Sequence, residues 1–295
     1  GAARKAFNGQ KLYGQAKVSL ADGDAVARLV TEPFDMEKIA LFSLVPMLAI
    51  SVFETAAADK NLPGYTDTPV IPGQKWRVHD ANRPRPKVVK AGLSKTLAMK
   101  PPKGAVVLFD GTDMSQWSHN KWKVEKGYME VTRGSGQLNS KKKFGSIKLH
   151  LEFATPGKVV GNSQGRGNSG VFFCGKYEVQ VLDSYNNISY ADGQCAAIYG
   201  QHPPRVNVCR PPGEWQTYDI EFRAPKFGKD GKVTRSAVVT VIHNGVKVHD
   251  QRELIGPSGH RSVKKYVEHG PGSIGLQDHG NPMRFRNIWV VELDD

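Results

Sequence analysis

Hydrophobic and polar residues alternate with period two along most of the chain after residue 105. The alternation is clear in residues 147–153 and again in residues 217–222, and it predicts strands with one buried and one solvent-facing side. Residues 239–248 read VTVIHNGVKV, in which Asn244-Gly245 has the composition of a type I′ hairpin turn. Residues 284–293 predict a last strand. No segment after residue 105 has a helical period, so the domain is expected to be all-β.

The distribution of strands and prolines predicts two parts of the mature chain. Antiparallel strands separated by turn residues across residues 105–295 indicate a β-sandwich or jelly roll. Residues 59–104 contain seven of the chain's 18 prolines. Because proline lacks the backbone donor that a sheet needs, these residues predict a Pro-rich arm or linker. The sequence WRVHD at Trp76–Asp80 is a candidate anchor for this arm.

Apolar residues near the N-terminus have a different arrangement. Residues 39–53 form an apolar run that is too short to span a bilayer comfortably, and Ala56–Ala58 has the A-x-A pattern of a cleavage site. Residues 36–58 therefore predict a signal peptide, with translation starting at Met36 and residues 1–35 as an upstream or disordered segment. A buried apolar helix in a longer domain is the alternative. Export predicts a periplasmic or secreted protein with no integral membrane span.

The charge adds a basic surface to this picture. Residues 1–58 hold equal numbers of basic and acidic residues, so the whole net charge of +13 lies in residues 59–295. Such a charge favours acidic neighbours. No nucleic-acid motif accompanies it, so we interpret it as a solvated basic face and expect no nucleic-acid partner.

The three cysteines are Cys174, Cys195 and Cys209. In an oxidising compartment Cys195 and Cys209 could close a short loop, but the spacing alone does not determine their state. No cysteine or histidine spacing indicates a structural zinc site.

Two glycine motifs precede the most informative strand. Residues 165–170 spell G-x-G-x-x-G, and residues 161–165 spell G-x-S-x-G. Both the dinucleotide loop and the nucleophile elbow need a helix directly after the motif. Residues 171–182 are instead rich in β-branched and aromatic residues and predict strand. We therefore interpret the glycines as a loop that leads into a strand.

This strand, residues 177–183, carries polar side chains on one face. Glu178 and Gln180 project to the same side, opposite the apolar residues of the strand. In a sandwich with a curved sheet, the concave face is where a ligand binds. If a bulge follows Gln180, Asp183 joins the same face. A solvent-facing polar row is the alternative.

A second polar pair occurs in residues 274–280. Ile274 and Leu276 are predicted to be buried, so Gln277 and His279 share the opposite face. A lone histidine is usually structural, but this one lies between glycines in a polar turn, which leaves room for a ligand.

Several motifs follow one another in order along residues 105–295. They are Leu108–Gly111 with Trp117, GNSGVFFCGKYEVQVLDSY at 167–185, Ala197–Gln201, Pro211–Asp219, and Gly275–Gly280 with Phe285–Ile288. Together they resemble the 3-keto-disaccharide hydrolase family, long catalogued as a domain of unknown function. The arm, with Tyr65–Pro69 and Trp76–Asp80, is similar to that of exported bacterial members. The resemblance implies a concanavalin A-like lectin/glucanase jelly roll of two antiparallel sheets, with a sugar cleft on the concave sheet.

The resemblance also bears on the mechanism. Fold relatives that hydrolyse β-glucans carry E-x-D-x-x-E on the equivalent strand, whereas this chain has Glu178-x-Gln180-x-x-Asp183. The amide in the middle does not suit a two-carboxylate mechanism. A ketone at C3 of the sugar acidifies the C2 hydrogen, so the glycosidic bond can leave by elimination and water can add back. That route needs one base, an enolate stabiliser and an acid.

We therefore expect an exported enzyme that cleaves 3-keto-glycosides or 3-keto-disaccharides. Glu178 is the candidate base, with His279 or Asp183 assisting proton transfer. Candidate substrate contacts are Gln180, Asn168, Gln277, Lys176, Tyr199 and Trp215. No cofactor is certain, although a divalent metal ion with Glu178 and His279 as ligands fits the same chemistry. The alternatives are a non-catalytic lectin-like glycan-binding module and a cell-surface structural protein that uses its basic face.

Overall fold

The structure is a computed structural model that describes residues 62–119 and 121–294. The predicted signal peptide and upstream segment lie outside these residues. In the described part of the chain the only helical elements are two short 3-10 turns, Ser163–Gly165 and Ala191–Gly193. No helix there is long and apolar enough to cross a membrane.

Sixteen strands make up the described fold. They are β1 (Lys87–Val88), β2 (Val106–Phe109), β3 (Lys123–Glu125), β4 (Tyr128–Glu130), β5 (Leu138–Asn139), β6 (Ile147–Ala154), β7 (Asn168–Phe173), β8 (Tyr177–Leu182), β9 (Val206–Asn207), β10 (Gln216–Arg223), β11 (Lys226–Phe227), β12 (Val233–Arg235), β13 (Val238–His243), β14 (Val246–Glu253), β15 (Gly275–Leu276) and β16 (Arg284–Glu292).

Two antiparallel sheets dominate, which confirms the predicted all-β sandwich. The larger sheet has eight strands in the order β14-β13-β10-β6-β16-β4-β3, with β2 also paired to β16. The smaller sheet has four strands in the order β5-β15-β7-β8. The predicted hairpin joins β13 to β14, and its turn residues Asn244 and Gly245 have φ values of 49° and 79°. These positive values agree with the type I′ turn.

The core lies between the two sheets. Phe173 of the smaller sheet stacks on Phe222 of the larger one, with ring centroids 4.7 Å apart. The hydroxyl of Tyr218 donates a hydrogen bond of 2.7 Å across the core to the carbonyl oxygen of Gln180. Every second residue of β8, including Val179 and Val181, points into this core. The intervening residues Glu178 and Gln180 therefore project from the opposite face of the smaller sheet.

The prediction that β6 has one solvent-facing side holds for Lys148 but is wrong for the rest of the strand. His150 and Glu152, on the side of β6 away from the core, are fully buried. Residues 94–99 at the end of the Pro-rich segment cover them, since Ala98 donates its backbone N–H to Glu152. The hydroxyl of Thr96 donates to Asp219, which in turn lies 2.7 Å from His150.

Glu152 is held ionised by its neighbours. Burial alone would raise its pKa, but hydrogen bonds with His150, Asn287 and Arg286, together with the Ala98 N–H, outweigh burial and lower the pKa to about 2. Because the folded-state pKa lies below the unfolded value, these contacts stabilise the fold above pH 4.5 and lose their effect as the pH falls towards 2.

We expect Glu152→Gln to lower the free energy of unfolding by about 3 kcal/mol at pH 7. The loss should shrink steadily below pH 4, because the wild-type carboxylate is then being protonated. Urea unfolding between pH 3 and 7 measures both effects. A loss that is the same at pH 3 and pH 7 would show that the charge of Glu152 does not stabilise the fold.

Candidate active site

The polar face of the smaller sheet forms the floor of a cavity of about 730 Å³. Four segments outside the sheet build its walls: residues 63–65 of the arm, residues 162–165, the loop that carries Tyr190 and Tyr199, and residues 258–264. The glycine-rich segment that precedes β7 therefore forms one rim of this cavity. A volume of this size accommodates a ligand of one or two sugar rings.

Glu178 lies at the centre of the floor and is 6% exposed. Its carboxylate has no hydrogen-bond donor among the described residues; the bonds of Glu178 are made by its backbone, which accepts from Tyr199 N–H and donates to the Ser258 hydroxyl. Burial raises the pKa of Glu178 to about 8. A carboxyl group in this state is a stronger base than a solvated one and titrates near physiological pH.

The neighbouring strand, β7, has a glycine at the position where the Glu178 carboxylate lies. Gly170 of β7 pairs with Gln180 of β8. A Cβ atom on Gly170 would collide with the Glu178 carboxylate, so only glycine leaves the carboxylate its place. This close approach is the physical reason for the last glycine of the GNSG sequence.

Amide side chains surround Glu178 on the floor. The Asn168 side chain donates to the carbonyl oxygen of Gln164 at 2.8 Å, and Gln180 donates to the Gln164 side-chain oxygen at 2.9 Å. The side-chain oxygens of Asn168 and Gln277 are buried without a donor. Buried acceptors without partners are costly, and hydroxyl groups of a ligand or a cation would satisfy them.

Six of the predicted site residues line the cavity: Glu178, His279, Gln180, Asn168, Gln277 and Tyr199. These residues are far apart in the sequence. The pairing of β7 with β8 and of β15 with β7 brings four of them to one face of the smaller sheet.

The structure places Asp183 away from this group. Pairing of β7 with β8 is regular up to the Asn168–Leu182 pair, so the bulge that would have turned Asp183 towards Glu178 is missing. Asp183 instead accepts a hydrogen bond of 2.8 Å from Nε of Arg166. Burial raises the pKa of Asp183, against the effect of Arg166.

Lys176 and Trp215 also lie outside the cavity. Lys176 occupies the turn between β7 and β8 and does not line the cavity. Trp215 packs beneath the guanidinium of Arg286, which lies 4.0 Å from the ring, and beside Tyr128. Trp215 is therefore a packing residue next to the larger sheet.

The aromatic wall of the cavity consists of Tyr65, Tyr190, Tyr199 and His260, of which sequence reasoning identified only Tyr199 as a site residue. The hydroxyl of Tyr199 lies 3.1 Å from the hydroxyl of Tyr190 and 3.1 Å from Nδ1 of His260. Burial lowers the pKa of His260, and the nearby His79 and Arg261 lower it further. Tyr65 and Lys264 complete this side of the cavity. These residues lie in loops without periodicity, and only the resemblance of the arm to exported relatives gave a signal for Tyr65.

The cysteines do not contribute to the cavity. All three are free thiols. Among the described residues, one group of three metal-ligating side chains converges within 4.8 Å, namely Cys195, Cys209 and His243. This group belongs to the core and not to the cavity, since Tyr218 packs against both Cys195 and His243.

The described residues form a β-sandwich with a polar cavity on its smaller sheet. The family described as the 3-keto-alpha-glucoside-1,2-lyase-like domain matches residues 104–291, which is more than half of the chain. The chain therefore belongs to this family. The resemblance found in the sequence is confirmed, and so is the assignment of the chain to the glycoside hydrolase-like enzymes.

Two relatives agree with this assignment. A 3-keto-disaccharide hydrolase from Bacteroides thetaiotaomicron is 24% identical over 257 residues, which cover 65% of this chain and 79% of that protein. The crystal structure of a candidate glycosyl hydrolase from Parabacteroides distasonis is 41% identical and has a TM-score of 0.66, covering 72% of this chain and 93% of that one.

The raised pKa of Glu178 predicts a cost to stability. Between pH 4.5 and 8 the unfolded chain releases the proton that the folded chain keeps, so the free energy of unfolding falls by about 1.4 kcal/mol per pH unit. We expect Glu178→Gln to be more stable than the wild type at pH 8 and equally stable at pH 4.5. Thermal unfolding across this range is the measurement. A variant that is less stable than the wild type at pH 8 would show that the buried Glu178 carboxylate does not destabilise the fold.

Proposed function

We propose that the chain cleaves the glycosidic bond of 3-keto-glycosides by base-assisted elimination followed by hydration, in the cavity above the smaller sheet. One observation carries the proposal: Glu178 is the only carboxylate among the described residues that line the cavity. A conventional glycosidase needs two carboxylates around the bond that breaks. Family membership and the name of the Bacteroides thetaiotaomicron relative support a keto-sugar as the substrate.

The reaction starts at C2 of the keto-sugar ring. The Glu178 carboxylate removes the C2 proton, which the C3 ketone has made acidic, and the electron pair forms an enolate. The bond from C1 to the glycosidic oxygen then breaks, and the leaving oxygen takes a proton. Water adds at C1 while C2 regains a proton, so the products are a free 3-keto-sugar and the released alcohol. The burial that raises the pKa of Glu178 makes the carboxylate basic enough for the first step.

The other groups of the cavity have supporting roles. Gln180, Asn168 and Gln277 bind sugar hydroxyls, for which the unpartnered oxygens of Asn168 and Gln277 are suited. Lys264 is the one lysine among the described lining residues and stabilises the enolate charge. The leaving oxygen takes its proton from an imidazole, either His279 or His260.

A role for Glu178 as the ligand of a divalent cation is the alternative to its role as the base. Glu178, Asn168 and Gln277 offer the oxygen ligands that Mg²⁺ or Mn²⁺ prefers, and His279 offers a nitrogen. A bound cation would supply a positive charge for the enolate oxygen. The cysteine group in the core does not reach the cavity and so does not serve this purpose.

We expect purified protein to release the leaving group from 3-keto-trehalose or a 3-keto-glucoside. Glu178→Gln should lower kcat at least about 100-fold, because the amide cannot accept the proton. Glu268→Gln, a change of the same type at an exposed residue outside the cavity, is the matched control. Loss of activity in EDTA with recovery in Mn²⁺ would establish the cation. Glycan binding by the wild type without any release would contradict the enzyme and favour a lectin-like module.

The pKa of Glu178 also predicts the pH dependence. A base must be ionised, and the pKa of Glu178 is about 8. We therefore expect kcat/KM to rise about tenfold per pH unit between pH 5 and 7 and to level off above pH 8. Initial rates are measured after subtraction of the rate without enzyme, since keto-sugars also eliminate spontaneously in alkali. A profile that is flat from pH 5 to 8 would exclude a base with a raised pKa.

A further inference from the structure

The arm contributes to the cavity although it lies outside the matched domain. The family match begins at residue 104, whereas residues 63–65 form part of the cavity wall. Tyr65 is half-buried at this wall. Its backbone is fixed on both sides, because Tyr65 N–H donates to His79 at 2.8 Å and Ala81 N–H donates to Tyr65 at 3.1 Å.

A buried hydrogen-bonded pair fastens the arm to the loop that carries Tyr190 and Tyr199. His79 is fully buried, and its ring Nδ1 lies 3.1 Å from Asp192, which also accepts the His79 backbone N–H at 2.9 Å. Arg85 adds hydrogen bonds to the carbonyl oxygens of Ser189 and Pro63. The arm and the loop that carries Tyr190 and Tyr199 are therefore held as one unit.

The aromatic side chains form a row that leads away from Glu178. Tyr199 is the member next to Glu178, since its backbone N–H donates to the Glu178 carbonyl oxygen at 3.1 Å. Tyr199 contacts Tyr190 and His260 through its hydroxyl. Tyr65 follows, with ring centroids 6.2 Å from Tyr190 and 6.0 Å from His260.

The aromatic row packs against His79 of the arm, and the guanidinium of Arg261 contacts its outer member, Tyr65. The ring centroid of His79 lies 4.1 Å from that of Tyr190 and 4.7 Å from that of Tyr199. The guanidinium of Arg261 lies 4.2 Å from the Tyr65 ring and is fixed by two hydrogen bonds to Asp67. Tyr65 is thus presented to the cavity by the arm and by residue 261 together.

We propose that this aromatic wall is the subsite for a sugar leaving group, with Tyr65 as the contact residue and His79 as a positioning residue. The inference rests on the proposed function, which places the keto-sugar ring over Glu178. A second pyranose ring then extends along the row that starts at Tyr199. Aromatic faces bind the C–H faces of a pyranose, and the hydroxyls and imidazole of the row bind its hydroxyl groups.

A second wall, residues 162–165, is different in chemistry. It carries no aromatic side chain, and Gln164 is committed to hydrogen bonds with Asn168 and Gln180 on the floor and with Ser189 and Gly193. The arm wall consequently distinguishes a disaccharide from a glycoside with a small leaving group such as methanol, which does not reach Tyr65.

The test compares two substrates on the full chain. The quantity is the ratio of kcat/KM for 3-keto-trehalose to kcat/KM for methyl 3-keto-glucoside. We expect Tyr65→Ala to lower this ratio about tenfold, the size of one lost aromatic contact of about 1.4 kcal/mol. Tyr185→Ala is the matched control, because Tyr185 is exposed and lies outside the cavity. His79→Gln should lower the same ratio, whereas a merely structural defect would lower both activities equally.

The outcomes separate the two proposals. If the wild type cleaves neither substrate, the proposed function fails. If the wild type cleaves both substrates and Tyr65→Ala leaves the ratio unchanged, the proposed function is supported and the proposed subsite is refuted. A ratio that falls for Tyr65→Ala and not for Tyr185→Ala supports the subsite.

Discussion

The site depends on the burial of one carboxyl group that no neighbour compensates. Glu178 is placed on the floor of the cavity by β8, has no donor among the described residues, and titrates near pH 8 because of burial. The rest of the smaller sheet serves this arrangement. Gly170 leaves room for the carboxylate, and Val179 and Val181 anchor the strand in the core on the other side. The energy that this burial costs is offset by the packing of the two sheets.

Glu152 is a second buried carboxylate, and it has a structural role that contrasts with that of Glu178. Glu152 is as buried as Glu178, yet it is surrounded by Arg286, Asn287 and a backbone N–H, and its pKa falls to about 2. For Glu152 the donors outweigh the effect of burial, whereas Glu178 is buried and has no donors. An acid that is held ionised by donors stabilises a structure, whereas an acid without donors is available for chemistry.

The sequence predicted those features that follow from strand periodicity. Alternation in residues 177–183 placed Glu178 and Gln180 on one face, and the Asn244-Gly245 turn was correctly assigned. Periodicity did not reveal that residues 94–99 cover β6, which made His150 and Glu152 buried. The prediction that Asp183 joins this face depended on a bulge after Gln180, which the regular pairing of β7 with β8 does not form. Apart from Tyr199, the aromatic wall was not predicted, since Tyr65, Tyr190 and His260 meet only through tertiary contacts between loops and the arm.

The proposed reaction begins with proton removal at carbon. Its most direct test is the fate of the hydrogen at C2 of the substrate. A 3-keto-glycoside carrying deuterium at C2 is turned over in ordinary water and compared with the unlabelled compound. Elimination predicts slower turnover of the labelled substrate and a keto-sugar product with hydrogen in place of deuterium at C2. Equal rates with the deuterium fully retained in the product would contradict it, and would require direct displacement at C1.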